Sequence, residues 1–216
     1  MSKLLLYFAP GACSLAPHIL LRELGLDFDL EKVDLRTHQT GAGEDFHTIN
    51  PKGYVPALRL ADGQLLTEVA VILLYLADQA PDRQLAPSPS SFERYRTLEQ
   101  LNYIATEVHK GFSPLFSPQV PDDLKVFMRE RLLQRLEPLD KLLATRPFLS
   151  GDHFDVTDAY LVTLLNWARW TQVDLSDLPH LVAYKDRLLA RPSVHEAIEA
   201  EKALRTHTAA RPRPEA

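Results

Sequence analysis

Residues 3 to 25 read KLLLYFAPGACSLAPHILLRELG, and their hydrophobic pattern changes at the only cysteine of the chain. Lys3 to Phe8 form a short apolar run, which is typical of a strand buried on both faces. Beyond the cysteine, apolar residues return at steps of three to five and Gly25 supplies a stop signal, which predicts a helix. The stretch therefore predicts an interior strand and a helix, with Cys13 at the turn between them.

The composition is that of an ordinary globular protein, with 45% hydrophobic and 25% charged residues. Its 24 Lys and Arg stand against 29 Asp and Glu, so we expect no nucleic-acid partner. One cysteine cannot form an internal disulfide, and the apolar runs are too short for a signal peptide or a membrane span. We therefore expect a cytoplasmic protein with no membrane partner.

The next residues continue to alternate between strand and helix signals. We expect a strand over residues 28–35, a mobile polar loop over 37–43 and a short helix over 44–49. Residues 57–68 predict an antiparallel hairpin with positive φ at both central residues, Asp62 and Gly63. Residues 69–80 are apolar nearly all round and predict a helix covered on two sides, which completes the order β-α-β-α-β-β-α.

A Pro- and Ser-rich stretch, PDRQLAPSPSS at residues 81–91, predicts a linker between a mixed domain at 1–80 and an all-helical domain at 92–204. The fold class is therefore α+β. The final residues, 205–216, are Pro-rich and apolar-poor, which indicates a disordered tail. The helical patterns span residues 92–111, 122–145 with Pro138 as a kink, 155–170 with a capping box at Asp155 and Asp158, 178–190 and 193–204.

Several residues could carry chemistry. The field of a helix N-terminus would lower the pKa of Cys13, although a lone cysteine can equally be a small buried hydrophobe. A cis bond between Val55 and Pro56 would present the Val55 backbone to an extended ligand, whereas a trans proline would be structural. Glu68 at a helix start could hold an ammonium group or merely cap the helix.

Asn102, Thr106 and His109 fall on one helical stripe, which is usually a solvated face. His109 alone would be structural, or would titrate near neutral pH beside a thiol. The scattered histidines and single cysteine give no metal-site spacing, so we expect no metal.

Five separated blocks together resemble the cytosolic glutathione transferases, and most closely their bacterial beta class. They are LYFAPGACSLAPHILLRELGLDF, DLRTHQTGAGEDFHTINPKGYVPAL, LTE, ERYRTLEQLNYIATEVHKGFSPLF and GDHFDVTDAY. The resemblance implies a thioredoxin-like domain that binds glutathione, followed by a helical domain that adds the electrophile pocket and a homodimer face.

Carried over by this resemblance, Cys13 and His109 are catalytic. The implied glutathione-binding residues are Cys13, His38, Val55, Pro56, Glu68, Val69, Asn102, Thr106, Glu107 and His109. Val55 would pair with the cysteinyl unit, Glu68 and Val69 would hold the γ-glutamyl end, and some of the helical residues would reach the site of the neighbouring subunit.

Two positions depart from the family pattern. His38 replaces a common Lys, so its contact with the glycine carboxylate would depend on pH. Val69 replaces a small or polar residue, which keeps the N–H donor but removes a side-chain hydrogen bond. The expected function is conjugation of glutathione to hydrophobic electrophiles. The alternatives are thiol-disulfide or peroxide reduction through a mixed disulfide at Cys13, or a non-catalytic carrier of hydrophobic ligands.

Overall fold

The structure is a computed structural model that describes residues 3–206. Strands and helices alternate in the first half of the chain. In order they are β1 (Leu4–Phe8), α1 (Leu15–Leu24), β2 (Phe28–Asp34), β3 (Gln39–Thr40), a 3-10 turn (Phe46–Thr48), β4 (Ala57–Arg59), β5 (Leu65–Thr67) and α2 (Val69–Asp78).

The strands form one mixed sheet in the order β3-β2-β1-β4-β5. β1 pairs in parallel with β2 and antiparallel with β4, so its predicted interior position is confirmed. Leu6 and Phe8 belong to the core formed with the helices, whereas Tyr7 packs against Phe46 on the opposite face. Because both faces of β1 are covered, its sequence is apolar throughout instead of alternating.

Three local predictions differ from the structure. The loop predicted at residues 37–43 contains β3, which pairs antiparallel with the end of β2. The helix predicted at 44–49 is a 3-10 turn, and the Asp45 carboxylate accepts the N–H of His47 at its start. The hairpin between β4 and β5 forms, but Gly63 has a φ of 89° whereas Asp62 is not left-handed. The Leu60 N–H donates to the Gln64 carbonyl at 2.8 Å, which leaves a turn of three residues, 61–63, and only the last of them has positive φ.

The second half is helical. It contains α3 (Phe92–Tyr103), a π-helical segment (Ile104–His109), α4 (Lys110–Phe112), a 3-10 turn (Ser113–Phe116), α5 (Asp122–Leu143), α6 (Val156–Leu165), α7 (Ala168–Thr171), α8 (Pro179–Leu189) and α9 (Pro192–Thr206). α6 is buried along its whole length and packs against α1 and α2, so it joins the sheet half to the helical half. The single helix predicted over 155–170 is interrupted between α6 and α7.

The division at residues 81–91 stays a prediction. That segment contains a 3-10 turn, Pro81–Arg83, and the carbonyl of Leu85 accepts the N–H of Val156. The tail was predicted to begin at residue 205, but residues 205 and 206 belong to α9. Residues 207–216 lie outside the described part of the chain.

Two buried carboxylates cap the start of α6, as the sequence predicted. Asp155 accepts the N–H of Thr157 at 2.8 Å, and Asp158 accepts the N–H of Asp155 at 2.9 Å. Asp158 also accepts the N–H of Leu149 at 3.0 Å and the hydroxyl of Tyr184 at 2.7 Å. Burial, followed by the charge of Asp155, raises the pKa of Asp158 to about 7.

We predict that Asp158 makes the protein less stable as the pH rises. The unfolded chain loses this proton near pH ~3.9 whereas the folded protein keeps it to about pH 7, so the free energy of unfolding falls across that window. Asp158→Asn removes the titration and leaves a buried N–H without an acceptor, which costs about 1–3 kcal/mol. Urea unfolding at several pH values measures both effects, and equal pH slopes for the wild type and the variant would contradict the assignment.

Candidate functional site

A cleft of about 780 Å³ opens between the sheet half and the helical half. The loop after β1, the turn before β4 and the start of α2 form one wall. The helical segment from Ala105 to Phe116, together with α6 and α7, forms the other. A cleft of this size is typical of a site for small molecules.

The loop between β1 and α1 is held at Gly11 by side chains from the helical half. The Trp167 indole N–H donates to the Gly11 carbonyl at 2.8 Å, and the Gly11 N–H donates to the Glu201 carboxylate at 2.8 Å. The second oxygen of Glu201 lies 3.0 Å from Nδ1 of His18, and both side chains are buried. Because Arg22 donates to Nε2 of His18, the ring proton is on Nδ1 and faces Glu201.

Cys13 lies in the cleft, but its thiol is not the low-pKa group that the sequence predicted. Its side chain is only 9% exposed, and the thiol donates to the carbonyl oxygen of Val55 at 3.2 Å. Burial raises the pKa of Cys13 to about 12, and this outweighs the opposite effects of nearby backbone N–H groups and Lys110. Of the two readings of Cys13, the lowered pKa is therefore wrong, because loss of water outweighs the field of α1.

His109 lines the same cleft as Cys13 and comes from the helical half. Its Nδ1 lies 2.7 Å from the hydroxyl of Tyr160, and its ring packs edge-on against Trp167 with centroids 5.2 Å apart. Burial, followed by the charge of Lys110, lowers the pKa of His109 to about 4. The prediction that His109 titrates near neutral pH is wrong, since its imidazole is neutral there.

The π-helical segment Ile104–His109 separates residues that the sequence placed on one stripe. Hydrogen bonds from residue i to i+5 add a residue to the turn and change which side chains share a face. His109 and Lys110 therefore line the cleft, whereas Asn102 and Thr106 are exposed outside it. Glu107 also lies outside the cleft lining and pairs with Arg135 at 2.9 Å.

On the sheet side, the cleft brings together four of the predicted residues. The peptide bond between Val55 and Pro56 is cis, and both residues line the cleft. Glu68 and Val69 lie beside them at the start of α2. Glu68 has a φ of 72°, a conformation that only a few per cent of residues other than glycine adopt.

His38 is outside the cleft lining. Its ring lies against that of His47, with centroids 4.4 Å apart, and its buried Nδ1 has no hydrogen-bond partner in the structure. His38 was expected to contact a ligand, but its ring instead packs against His47, and both rings lie next to Gly53.

The sequence interpretation missed several cleft residues. Lys52 and Tyr54 lie in the turn before β4, and Tyr160, Trp167 and Trp170 come from the helical half. Lys52 and Tyr54 are part of the DLRTHQTGAGEDFHTINPKGYVPAL block and Tyr160 is part of the GDHFDVTDAY block, so the resemblance of these blocks was the available signal. Trp167 and Trp170 follow α6 in a helical pattern that is typical of core residues, so the pattern did not single them out. A lysine in a loop is likewise typical of any solvated surface.

Two family models match the chain: the glutathione S-transferase N-terminal domain matches residues 11–79, and the glutathione S-transferase C-terminal domain matches residues 103–192. The chain belongs to the glutathione S-transferase family. It is 48% identical over 196 residues to glutathione S-transferase GstA of Escherichia coli O157:H7, which covers 91% of this chain and 98% of that protein.

Solved structures of bacterial transferases are similar along nearly their whole length. A sphingomonad glutathione S-transferase complexed with glutathione is 47% identical with a TM-score of 0.89, covering 92% of this chain and 98% of that one. The bacterial beta class transferase of Sphingomonas chungbukensis is 47% identical with a TM-score of 0.88, covering 91% and 98%. The thioredoxin-like half, the helical half and the resemblance to the beta class are thereby confirmed.

Within residues 3–206 no helix is both long and apolar enough to span a bilayer. The same residues contain no group of three or more His, Cys, Asp or Glu side chains placed to bind a metal ion.

We predict that the thiol of Cys13 titrates far above that of free cysteine in the ligand-free protein, because burial disfavours its charge. Thiolate absorbance near 240 nm, recorded against pH with Cys13→Ser as the blank, measures this. A midpoint at or below that of free cysteine would contradict the assignment.

Proposed function

We propose that this transferase conjugates the thiol of reduced glutathione to hydrophobic electrophiles. The observation that carries the proposal is the meeting, in one cleft, of the Val55 backbone, Glu68 and Cys13 with His109 and Tyr160. The sheet side supplies backbone and charged groups for an extended tripeptide, and the helical side supplies hydrogen-bond donors for its sulfur. Membership of the family and the likeness to a glutathione complex support it.

In this proposal the cleft stabilises the thiolate of glutathione with neutral donors. Burial raises the pKa of Tyr160, so its hydroxyl stays protonated, and we assign that hydroxyl as the donor to Nδ1 of His109. The imidazole then carries its proton on Nε2, as a donor to the bound sulfur. Lys110 adds a nearby positive charge. Lowering a thiol pKa by two units requires about 2.7 kcal/mol, which one or two charge-assisted hydrogen bonds supply.

The electrophile would occupy the apolar end of the cleft. Phe116 packs edge-on against Trp167 with centroids 5.2 Å apart, and Trp170 lies on the same side. Aromatic walls favour flat apolar substrates. The site provides less for the alternative thiol-disulfide or peroxide chemistry, because that needs an accessible Cys13 with a low pKa.

Other features of the proposal rest on the family. We place the protein in the cytoplasm, with a glutathione-binding domain at residues 1–80, a linker at 81–91 and a helical domain at 92–204. The contacts of His38 and Glu107 with glutathione stay predictions of the family resemblance, and neither side chain lines the cleft of its own subunit.

The test is conjugation of an aryl halide under saturating glutathione. We predict turnover above the uncatalysed rate, and a fall in kcat/KM of about tenfold for Tyr160→Phe, because the lost hydrogen bond no longer holds the proton of His109 on Nε2. The pH profile should rise once, with the glutathione thiol, and should show no second step from His109, because the imidazole of His109 is neutral from about pH 4 upward. A rate equal to the uncatalysed one would refute the proposal.

We also propose a homodimer through the face of α3. Phe92, Tyr95 and Leu98 are 67%, 65% and 41% exposed and follow each other at three-residue steps. Asn102 and Thr106 are also exposed. This exposure agrees with the expectation, from the family resemblance, that some residues of this helical segment reach the cleft of the neighbouring subunit. An exposed apolar stripe of this kind favours a protein partner.

Sedimentation tests the dimer. We predict that the wild type sediments as a dimer at micromolar concentration and that Phe92→Glu with Tyr95→Glu sediments as a monomer, because a buried unpaired carboxylate is costly. Phe127→Glu, at a 53% exposed position on α5, is the matched control and should remain dimeric. A monomeric wild type, or a dimer that survives the double substitution, would contradict this arrangement.

A further inference from the structure

Lys52 and Glu68 form an ion pair on the sheet side of the cleft. The ammonium of Lys52 lies 2.7 Å from Oε1 of Glu68 and 3.5 Å from the hydroxyl of Thr67. The two charged side chains are 55% and 64% exposed. An ion pair this exposed contributes little to stability, so a ligand can exchange it at small cost.

We propose that Lys52 binds the α-carboxylate of the γ-glutamyl residue, beside Glu68, to which the family resemblance already assigns the γ-glutamyl end; this assignment rests on the proposed binding of glutathione. The α-carboxylate and the α-ammonium of the ligand are attached to the same carbon. The ammonium of Lys52 and the carboxylate of Glu68, which are in direct contact, therefore complement both charges. On binding, the ligand ammonium replaces Lys52 at Glu68, and the ligand carboxylate accepts hydrogen bonds from Lys52. Each charge therefore keeps a partner of opposite sign throughout the exchange.

The position of Lys52 selects the α-carboxylate over the glycine carboxylate. Its polar partners, Thr67 and Glu68, both lie at the junction of β5 and α2, where the ammonium of the ligand would bind. The next residue, Val69, offers a backbone N–H but has no side-chain donor for a carboxylate. Lys52 supplies the donor that Val69 lacks.

The backbone that carries Lys52 is held in place. Its N–H donates to Oδ1 of Asn50 at 3.2 Å, and the amide of Asn50 donates to the carbonyl of Tyr54 at 2.7 Å. Asn50 is only 3% exposed. Gly53 has a φ of 69°, and a Cβ there would lie 2.6 Å from the His47 ring, so the turn admits little change. Only the side chain of Lys52 has to move when the ligand binds.

Calorimetry with three thiol peptides tests the assignment: glutathione, γ-glutamylcysteine, which lacks the glycine carboxylate, and 4-aminobutanoyl-cysteinyl-glycine, which lacks the α-carboxylate. We expect Lys52→Met to raise the Kd for glutathione and for γ-glutamylcysteine about tenfold, as for loss of one charge-assisted hydrogen bond. The Kd for the third peptide should not rise, because that peptide has no α-carboxylate for Lys52 to bind.

Two variants complete the design. Lys52→Arg keeps the cation and should restore most of the affinity for glutathione. Lys3→Met removes a lysine from another exposed ion pair, 3.0 Å from Asp27 and outside the cleft lining, and should leave all three Kd values unchanged.

The outcomes separate the inference from the proposed function. Equal affinity of Lys52→Met and wild type for glutathione would overturn the assignment, and so would an effect that disappears with γ-glutamylcysteine, since Lys52 would then bind the glycine carboxylate. In either case the wild type still binds glutathione and the proposed function stands. If the wild type binds none of the three peptides, the proposed function fails and the assignment fails with it.

Discussion

The position of the cleft depends on the peptide units that meet at Gly11. Gly11 lies in the loop between β1 and α1, where its N–H donates to Glu201 and its carbonyl accepts from Trp167. Both partners come from the helical half, more than 150 residues along the chain. Cys13 follows Gly11 in this loop and lines the cleft. The position of its sulfur therefore depends on the packing of α9 and of the α6–α7 junction, which carry Glu201 and Trp167.

Burial controls the electrostatics of this cleft more than formal charge does. It raises the pKa of Cys13 and of Tyr160 and lowers that of His109, so all three side chains are neutral at physiological pH. Neutral donors in a place with little water can stabilise an anion that arrives with the ligand. In our account the thiol that ionises is that of glutathione, and Cys13 remains a buried donor to the Val55 carbonyl.

Local patterns were sufficient for much of the fold. The apolar run of β1, the helix that ends at Gly25 and the capping box at Asp155 depend on neighbouring residues, and each is present as predicted. The resemblance to the family then placed Val55, Glu68 and His109 in one site. Those three share the cleft because the order of the elements in the fold brings their segments together.

Other features depend on contacts that a linear pattern does not contain. The π-helical turn separates His109 from Asn102 and Thr106. An analysis of α-helical periodicity does not reveal such a turn, because it assumes 3.6 residues per turn throughout. The pKa of Cys13 follows from burial by distant segments, and the ring pair of His38 and His47 depends on the folded turn that contains Gly53.

The most direct test of the account is the ionisation of glutathione in the cleft. Difference absorbance near 240 nm, recorded while glutathione is added to the Cys13→Ala variant, reports only the thiolate of the ligand. We predict a saturable thiolate signal at neutral pH that titrates well below the thiol pKa of free glutathione and weakens in a variant that also carries Tyr160→Phe. Glutathione that binds with its thiol fully protonated at neutral pH would contradict the account.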